Sequence, residues 1–69
     1  METNIRIGKI HSIACVNRIE SKLKTMGINI FHMDYQTNIV NILYDEYKIQ
    51  PNEIVIVIKD LGYDASIKT

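Results

Sequence analysis

The sequence predicts an α+β fold of the ferredoxin-like type, with the element order βαββαβ, a four-stranded antiparallel sheet and two helices on one face of that sheet. Three observations predict it: short segments in which apolar and polar residues alternate, two segments in which apolar residues recur every three or four positions, and a short polar turn between two strands. A chain of 69 residues has the length of one small domain, so we expect a single domain over residues 1–69.

The first strand is predicted from the alternation of apolar and polar residues, and the first helix from apolar residues that recur every three or four positions. Ile5 and Ile7 alternate with a polar and a small residue, as in a strand with one buried face. The next segment predicts a helix with one apolar stripe. The residues of this stripe are Ala14, Val16, Ile19, Leu23 and Met26. Ser12 is placed to cap the amino end of the helix, and Gly27 is placed to end it.

The middle of the chain predicts a hairpin. Residues 28–35 alternate as a second strand, residues 36–38 (Gln-Thr-Asn) form the turn, and a third strand follows. The inward residues would be Phe31, Met33 and Tyr35 on the second strand and Val40, Ile42 and Tyr44 on the third. The opposite face would carry Ile30, Ile39 and Leu43. We expect these three side chains to form an exposed apolar patch, which is a candidate docking surface.

The segment IVIVI, residues 54–58, is ambiguous. Five β-branched residues in a row favour a strand locally. Pro51 suits the first position of a helix and Gly62 suits its end. A helix would place on one face the residues Ile54, Val57, Ile58 and Leu61. We predict a helix here, followed by a short last strand over residues 63–67. The residues of that strand that face inward would be Ala65 and Ile67.

The composition excludes several functional classes. The 8 basic and 8 acidic residues balance, so the chain as a whole has no electrostatic reason to bind nucleic acid. Aromatic side chains for stacking on RNA bases are also missing from the predicted open face of the sheet. No apolar run is long enough to insert into a membrane, and no secretory signal is present. The single cysteine cannot form an internal disulfide, which fits a reducing, cytoplasmic compartment.

That cysteine, Cys15, is the candidate reactive group. It lies near the predicted amino end of the first helix, where unpaired backbone N–H groups lower a thiol pKa and favour the thiolate that binds metal ions. Free cysteine is also among the most buried residue types, so periodicity alone leaves open a small buried hydrophobic residue.

The stretch IHSIACVNRIE, residues 10–20, resembles the heavy-metal-associated domain of copper chaperones and of the N-termini of metal-transporting P-type ATPases. The family motif is M-x-C-x-x-C, and Cys15 matches its second cysteine. Further matches to the family pattern are Asp34–Asn38 (DYQTN), Tyr44–Asp45 (YD), Gln50–Ile54 (QPNEI) and Leu61–Ala65 (LGYDA). The resemblance extends over almost the entire chain.

The departures from the family pattern fall on the site itself. Ser12 stands where the family has its first cysteine, Ile10 replaces the motif methionine, and Lys9 replaces the preceding glycine. Soft thiolates select Cu(I), whereas a neutral hydroxyl is a hard ligand, so Ser12 cannot take the place of a thiolate. Two interpretations remain open: a natural loss of the first ligand, or an engineered change of cysteine to serine.

The resemblance implies which groups would hold the metal. Cys15 would be the thiolate ligand and Ser12 the position of the missing ligand. His11 is a further candidate, because imidazole binds Cu(I) and Zn(II), although this position points to solvent in the family. Tyr63 follows the second helix, and its family equivalent shields the metal loop. His32 is expected on the open sheet face rather than at the site.

The resemblance also implies a function. The chain would bind and transfer a soft metal ion, Cu(I) first and Zn(II) or another soft ion second, as the cytosolic N-terminal domain of a copper-translocating P-type ATPase. The alternatives are a free-standing copper chaperone and a degenerate interaction or regulatory module that no longer binds metal. The domain itself is not expected to be an enzyme. Its partner would be a copper chaperone or an ATPase domain of similar fold, and two chains could form a metal-bridged homodimer through Cys15.

Overall fold

The computed structural model describes residues 1–68. The elements, in chain order, are β1 (Glu2–Gly8), α1 (Ile13–Met26), β2 (Ile30–Asp34), β3 (Ile39–Leu43), α2 (Pro51–Asp60) and β4 (Asp64–Lys68). The strands are ordered β2-β3-β1-β4 in one sheet, and each neighbouring pair is antiparallel. The predicted ferredoxin-like βαββαβ fold is confirmed.

The core lies between the two helices and one face of the sheet. Its most buried aliphatic residues are Ile5, Ile7, Val40 and Ile42 from the sheet, Val16, Ile19 and Leu23 from α1, and Ile54 and Ile58 from α2. Burial of one such side chain stabilises a fold by about 1.5–3 kcal/mol. Tyr44 is also buried, and its hydroxyl bonds to Thr3 Oγ1 at 2.7 Å, so no polar atom there lacks a partner. Ile49, in the loop before α2, is a core residue that the periodic patterns do not predict.

The ambiguous segment is a helix. Pro51 occupies its first turn, Ile54 and Ile58 are fully buried, and Ile56 between them is 57% exposed. A strand would place all three isoleucines on one face, whereas a helix places only the first and the last there. Burial against the sheet therefore outweighs the local β propensity. After the helix, Gly62 has φ 100°, a left-handed conformation that turns the chain back toward the sheet.

Three residues predicted to face the core are exposed. Tyr35 is 58% exposed because β2 ends one residue earlier, at Asp34, and the chain has already entered the turn. Ile67 pairs with the buried Ile5, but it is 40% exposed because it lies near the end of an edge strand that is left uncovered. Ala14 is exposed because it precedes the buried Val16 by two residues, which places it on the opposite side of α1 from the buried residues Val16, Ile19 and Leu23.

The prediction of a single apolar patch on the open face of the sheet is wrong. Ile30 lies opposite Leu43 at one end of the hairpin, and Ile39 lies at the other end. Between them on β3 stands Asn41, whose side-chain amide donates to Asn4 Oδ1 at 2.8 Å. This polar pair separates Ile39 from the pair formed by Ile30 and Leu43.

Candidate metal centre

The candidate centre begins in the loop between β1 and α1. Lys9 has φ 65°, a left-handed conformation that turns the chain out of β1, and Ser12 returns to extended backbone immediately before the helix. The Cys15 backbone N–H then donates to the Ser12 carbonyl at 3.1 Å and closes the first turn. The loop thus brings the side chains of Ser12 and Cys15 to the same end of α1.

Ser12 holds the N-cap position as predicted, but its hydroxyl makes no capping hydrogen bond. The hydroxyl instead points to Cys15 and donates weakly to its sulfur, with 3.9 Å between Oγ and Sγ. The prediction of Ser12 as the N-cap residue is therefore confirmed, but the capping hydrogen bond expected from its side chain is not formed.

Cys15 is the third residue of α1 and is half-buried, packed against the edge of the core. It is neither a fully buried hydrophobic residue nor a freely mobile surface thiol. The next residue, Val16, is 3% exposed and anchors this turn in the core. The sulfur is consequently held in place while one side of it stays open to solvent.

The surroundings of the sulfur favour its thiolate form. The Tyr63 hydroxyl makes the largest contribution, followed by the His11 backbone N–H and the Ser12 hydroxyl, and together they lower the pKa of Cys15 from 9.0 to about 7. Partial burial acts in the opposite direction and does not cancel these hydrogen bonds. The lowered pKa therefore raises the thiolate fraction of Cys15 at neutral pH above that of an ordinary cysteine.

Tyr63 lies directly after the turn that ends α2 and is only 8% exposed. Its hydrogen bond to Cys15 raises the pKa of the Tyr63 hydroxyl, and burial raises it further, while the nearby Arg18 guanidinium lowers it. The structure thus brings together Tyr63, Cys15 and Arg18. Cys15 and Arg18 are one turn apart on α1, whereas Tyr63 is distant from both in sequence. That Tyr63 shields a bound metal stays a prediction.

The two histidines differ in position. His11 has an exposed side chain in the loop before α1, and its role as a ligand stays a prediction. His32 lies on the open face of the sheet, opposite Asn41, as predicted. Within residues 1–68, no group of three or more His, Cys, Asp or Glu side chains could hold a metal ion. Any metal centre here would therefore be built on one thiolate.

The distance between positions 12 and 15 suits a shared ion. A metal–thiolate bond is about 2.3 Å long for Zn²⁺, so two sulfurs on one ion can lie up to about 4.6 Å apart. The present separation of 3.9 Å between Ser12 Oγ and Cys15 Sγ is within that span. Two ligands at positions 12 and 15 would lie close enough to share one ion, but the hydroxyl of Ser12 is not a soft ligand.

Periodicity did not identify two residues beside this centre. Ile13 is 64% exposed on the rim, although it is large and apolar. Arg18 lies close enough to Tyr63 to lower the pKa of its hydroxyl, and it follows Cys15 by one turn of α1. The spacing of three residues from Cys15 to Arg18 is a signal that could have predicted their proximity.

Residues 4–64 of the chain match the family model of the heavy-metal-associated domain. The match spans most of the chain and includes the loop, Cys15 and Tyr63, and the chain belongs to this family. Heavy-metal-associated domains are small, non-catalytic modules, so the domain is not an enzyme. No curated protein sequence matches the chain.

Solved structures of the same fold include copper-handling domains. The yeast copper transporter domain CCC2A, solved in apo and Cu(I)-loaded states, is 25% identical with a TM-score of 0.90, over 99% of this chain and 94% of that domain. The N-terminal domain of a potential copper-translocating P-type ATPase from Bacillus subtilis is 20% identical with a TM-score of 0.91, over 97% and 85% of the two chains. The CopZ metallochaperone is 19% identical with a TM-score of 0.88, over 96% and 100%. Both transporter domains and chaperones thus share this fold.

No helix within residues 1–68 combines the length and the apolar character needed to cross a membrane.

Proposed function

We propose that this domain binds Cu(I) through Cys15 and passes the ion to or from a partner by ligand exchange. The observation that carries the proposal is the setting of Cys15: a half-exposed thiol at the start of α1, with its pKa lowered to about 7, in a chain that belongs to the heavy-metal-associated family. A thiolate is the form that binds soft ions, and soft thiolates select Cu(I) among the ions of the cell. Zn(II) or another soft ion is the second candidate.

The centre is incomplete, because the hydroxyl of Ser12 stands where a second thiolate would complete it. Tight binding therefore requires a second soft ligand from outside the chain. A partner domain of similar fold can supply it during transfer, and two copies of this chain can supply it to each other through Cys15. His11 is the candidate ligand within the chain, with lower priority because its side chain is exposed in the loop.

We propose that the domain acts in the cytosol as the N-terminal metal-binding part of a copper-translocating P-type ATPase, with a copper chaperone as its partner. The likeness to the transporter domains from yeast and Bacillus subtilis supports this setting. A free-standing chaperone is the alternative, supported by the likeness to CopZ. Any ATP hydrolysis would belong to another domain.

The presence of Ser12 favours one further function, a regulatory or interaction module that has kept the fold and lost metal binding. The two functions differ in a measurable way. A transfer domain binds Cu(I) through Cys15 when a second thiolate is supplied, whereas a degenerate module does not bind it under any condition.

The test is competition for Cu(I) with a coloured indicator, at neutral pH under a reductant that contains no thiol. We expect the parent monomer to compete weakly and Ser12→Cys to compete as a tight one-to-one monomer, since chelation avoids the entropy of recruiting a second chain. Ser21→Cys is the matched control, because it adds a thiol to the exposed face of the same helix away from Cys15. If Ser12→Cys competes no better than Ser21→Cys, the metal-site assignment is wrong.

A further inference from the structure

The last strand, β4, forms an edge of the sheet, and its residues are complementary to a second copy of themselves. We propose that two copies of this chain associate weakly through β4, side by side and antiparallel, and so form one continuous eight-stranded sheet. This association requires neither a metal ion nor Cys15, so it is independent of the function proposed above.

The outer side of β4 is free to pair. In the order β2-β3-β1-β4 this strand pairs with β1, and within residues 1–68 no strand lies on its other side. The outward backbone N–H and C=O groups of an edge strand form a template for another strand. Residues Asp64–Lys68 include no proline, which would remove a donor from such a ladder. The edge can therefore accept a strand from another molecule.

The sequence of β4 matches its own reverse in charge and in size. When Ser66 lies opposite the partner's Ser66, Asp64 lies opposite the partner's Lys68, and Ala65 lies opposite the partner's Ile67. This register pairs the whole strand and places two pairs of opposite charges across the interface. Opposite charges in directly opposed positions stabilise a strand pair. A shift of two residues in either direction places a serine opposite each of these charges and loses both ion pairs.

The two faces of the paired strands would both gain contacts. Asp64, Ser66 and Lys68 are exposed, whereas Ala65 is buried and Ile67 is 40% exposed although it pairs with the buried Ile5. The small side chain of Ala65 leaves space beside it for the larger side chain of the partner's Ile67. Pairing would therefore cover apolar surface that the monomer leaves in water.

The charged groups of β4 are available for this pairing. Asp64 Oδ1 lies 3.8 Å from Lys9 Nζ, and both side chains are about two-thirds exposed. An exposed ion pair of this length holds a carboxylate only weakly, so Asp64 can still bind a second cation. Lys68 is exposed, and it forms no ion pair within residues 1–68.

The other edge strand, β2, lacks this complementarity. If β2 paired with its own copy about His32, Ile30 would lie opposite the partner's Asp34 and two imidazoles would face each other. No opposite charges would meet, and each carboxylate would lie against an isoleucine. Complementarity to a second copy is therefore a property of β4 and not of both edges of this sheet.

The symmetry of the pair limits its size and separates the two candidate metal centres. Antiparallel pairing about Ser66 creates a two-fold axis, and such an interface closes at two copies. The loop that leads to Cys15 follows Gly8, which pairs with Asp64 at the start of β4. The starts of the two β4 strands are four residues out of line, about 13 Å along the strands. The two loops would therefore leave the joined sheet at opposite ends, and each centre would stay open to its own partner.

The first test is sedimentation equilibrium of the parent chain with a chelator and a reductant present. Strands of five residues bury much less than the roughly 1,000 Å² of a stable interface, so we expect a reversible dimer at high protein concentration. Lys68→Asp should weaken it by about tenfold, because a carboxylate then faces Asp64 on both sides of the axis. Asp64→Lys should weaken it to a similar degree.

A mixture of these two variants supplies the control for folding and for the register. Each introduced aspartate then faces an introduced lysine, so the mixture should form heterodimers at least as strong as the parent dimer. A parent chain that stays monomeric at every concentration would overturn the inference. Dimerisation that neither substitution weakens, or a mixture that associates no better than its components, would overturn it as well.

The second test captures the predicted register with a disulfide in the background of Cys15→Ser. Directly opposed residues of antiparallel strands have Cα atoms about 4.5–5.5 Å apart, which is within the range of a disulfide. Ser66→Cys should therefore form a covalent dimer on mild oxidation. His32→Cys, which places a thiol at the centre of the other edge strand, is the matched control and should react about tenfold more slowly. Equal rates for the two variants would contradict pairing through β4.

Discussion

The properties of Cys15 arise from three neighbours that belong to different parts of the fold. Tyr63 comes from the turn after α2, His11 from the loop before α1, and Ser12 from the N-cap position of α1. Each places a donor near the sulfur, so the thiolate is favoured before any metal arrives. A reactive thiol at the rim of a packed core is the consequence.

This arrangement predicts how Cys15 reacts with an alkylating agent as the pH changes. Only the thiolate reacts, so the rate with iodoacetamide should reach half its maximum at about pH 7. Tyr63→Phe removes the largest contribution and should move the midpoint upward toward 9.0. Tyr47→Phe is the control, because Tyr47 is 92% exposed in the loop between β3 and α2, and it should leave the midpoint unchanged. A midpoint of the parent near 9 would contradict the described surroundings of the sulfur.

The same shift links the stability of the fold to pH. The pKa of Cys15 is lower in the folded chain than in the unfolded one, so the thiolate adds stability that is fully present above pH 9. This contribution is lost as the pH falls through about 7. Its sign therefore favours the folded state on the alkaline side of neutrality.

At the scale of elements, α2 is the part of the chain whose local sequence and final structure disagree most. Its run of β-branched residues favours a strand, yet the sheet already has four strands and needs an apolar helix face to cover it. The helix buries Ile54 and Ile58 and leaves Ile56 in solvent. The outcome is decided by tertiary packing and not by propensity.

Two substitutions within α2 test this assignment. Ile58→Ala should lower the free energy of unfolding by about 2–5 kcal/mol, because the side chain is fully buried. Ile56→Ala, two residues away, should change it by less than about 0.5 kcal/mol, because that side chain is 57% exposed. Urea denaturation of both variants measures the difference. Equal losses would indicate a strand, in which both side chains share a face.

At the scale of the whole molecule, the fold rests on its core and not on a metal. The buried residues of the sheet and the two helices form one cluster, and Cys15 packs only at its edge. A small domain without disulfides depends on this cluster for its stability.

The melting temperature of the domain as purified should therefore be the same with and without a strong chelator. A large drop on addition of chelator would mean that a bound metal contributes to folding. Leu23→Ala, which removes a fully buried side chain, provides the positive control for a destabilised core.

The sequence predicts much of this fold because the period of the apolar residues reports which face of an element is covered. The prediction of buried residues fails where burial depends on the length of a strand or on whether a neighbouring element covers it, as at Tyr35 and Ile67. The divided open face is a similar case, because the pairing of Asn41 with Asn4 depends on the register of two strands. At the candidate centre, the proximity of Tyr63 to Cys15 was implied only by the family resemblance, since no local pattern connects residues so far apart.

The central claim is that this domain supplies one thiolate to Cu(I) and takes the second from outside its own chain. Titration of Cu(I) into the parent and into Ser12→Cys, with the mass of every species measured in solution, tests it most directly. We predict that the parent binds Cu(I) tightly only in species that contain a second thiolate, from a partner domain or from the Cys15 of another chain. Ser12→Cys is predicted to bind one Cu(I) per monomer without a second chain. A parent monomer that binds Cu(I) tightly with no added thiol would contradict the claim.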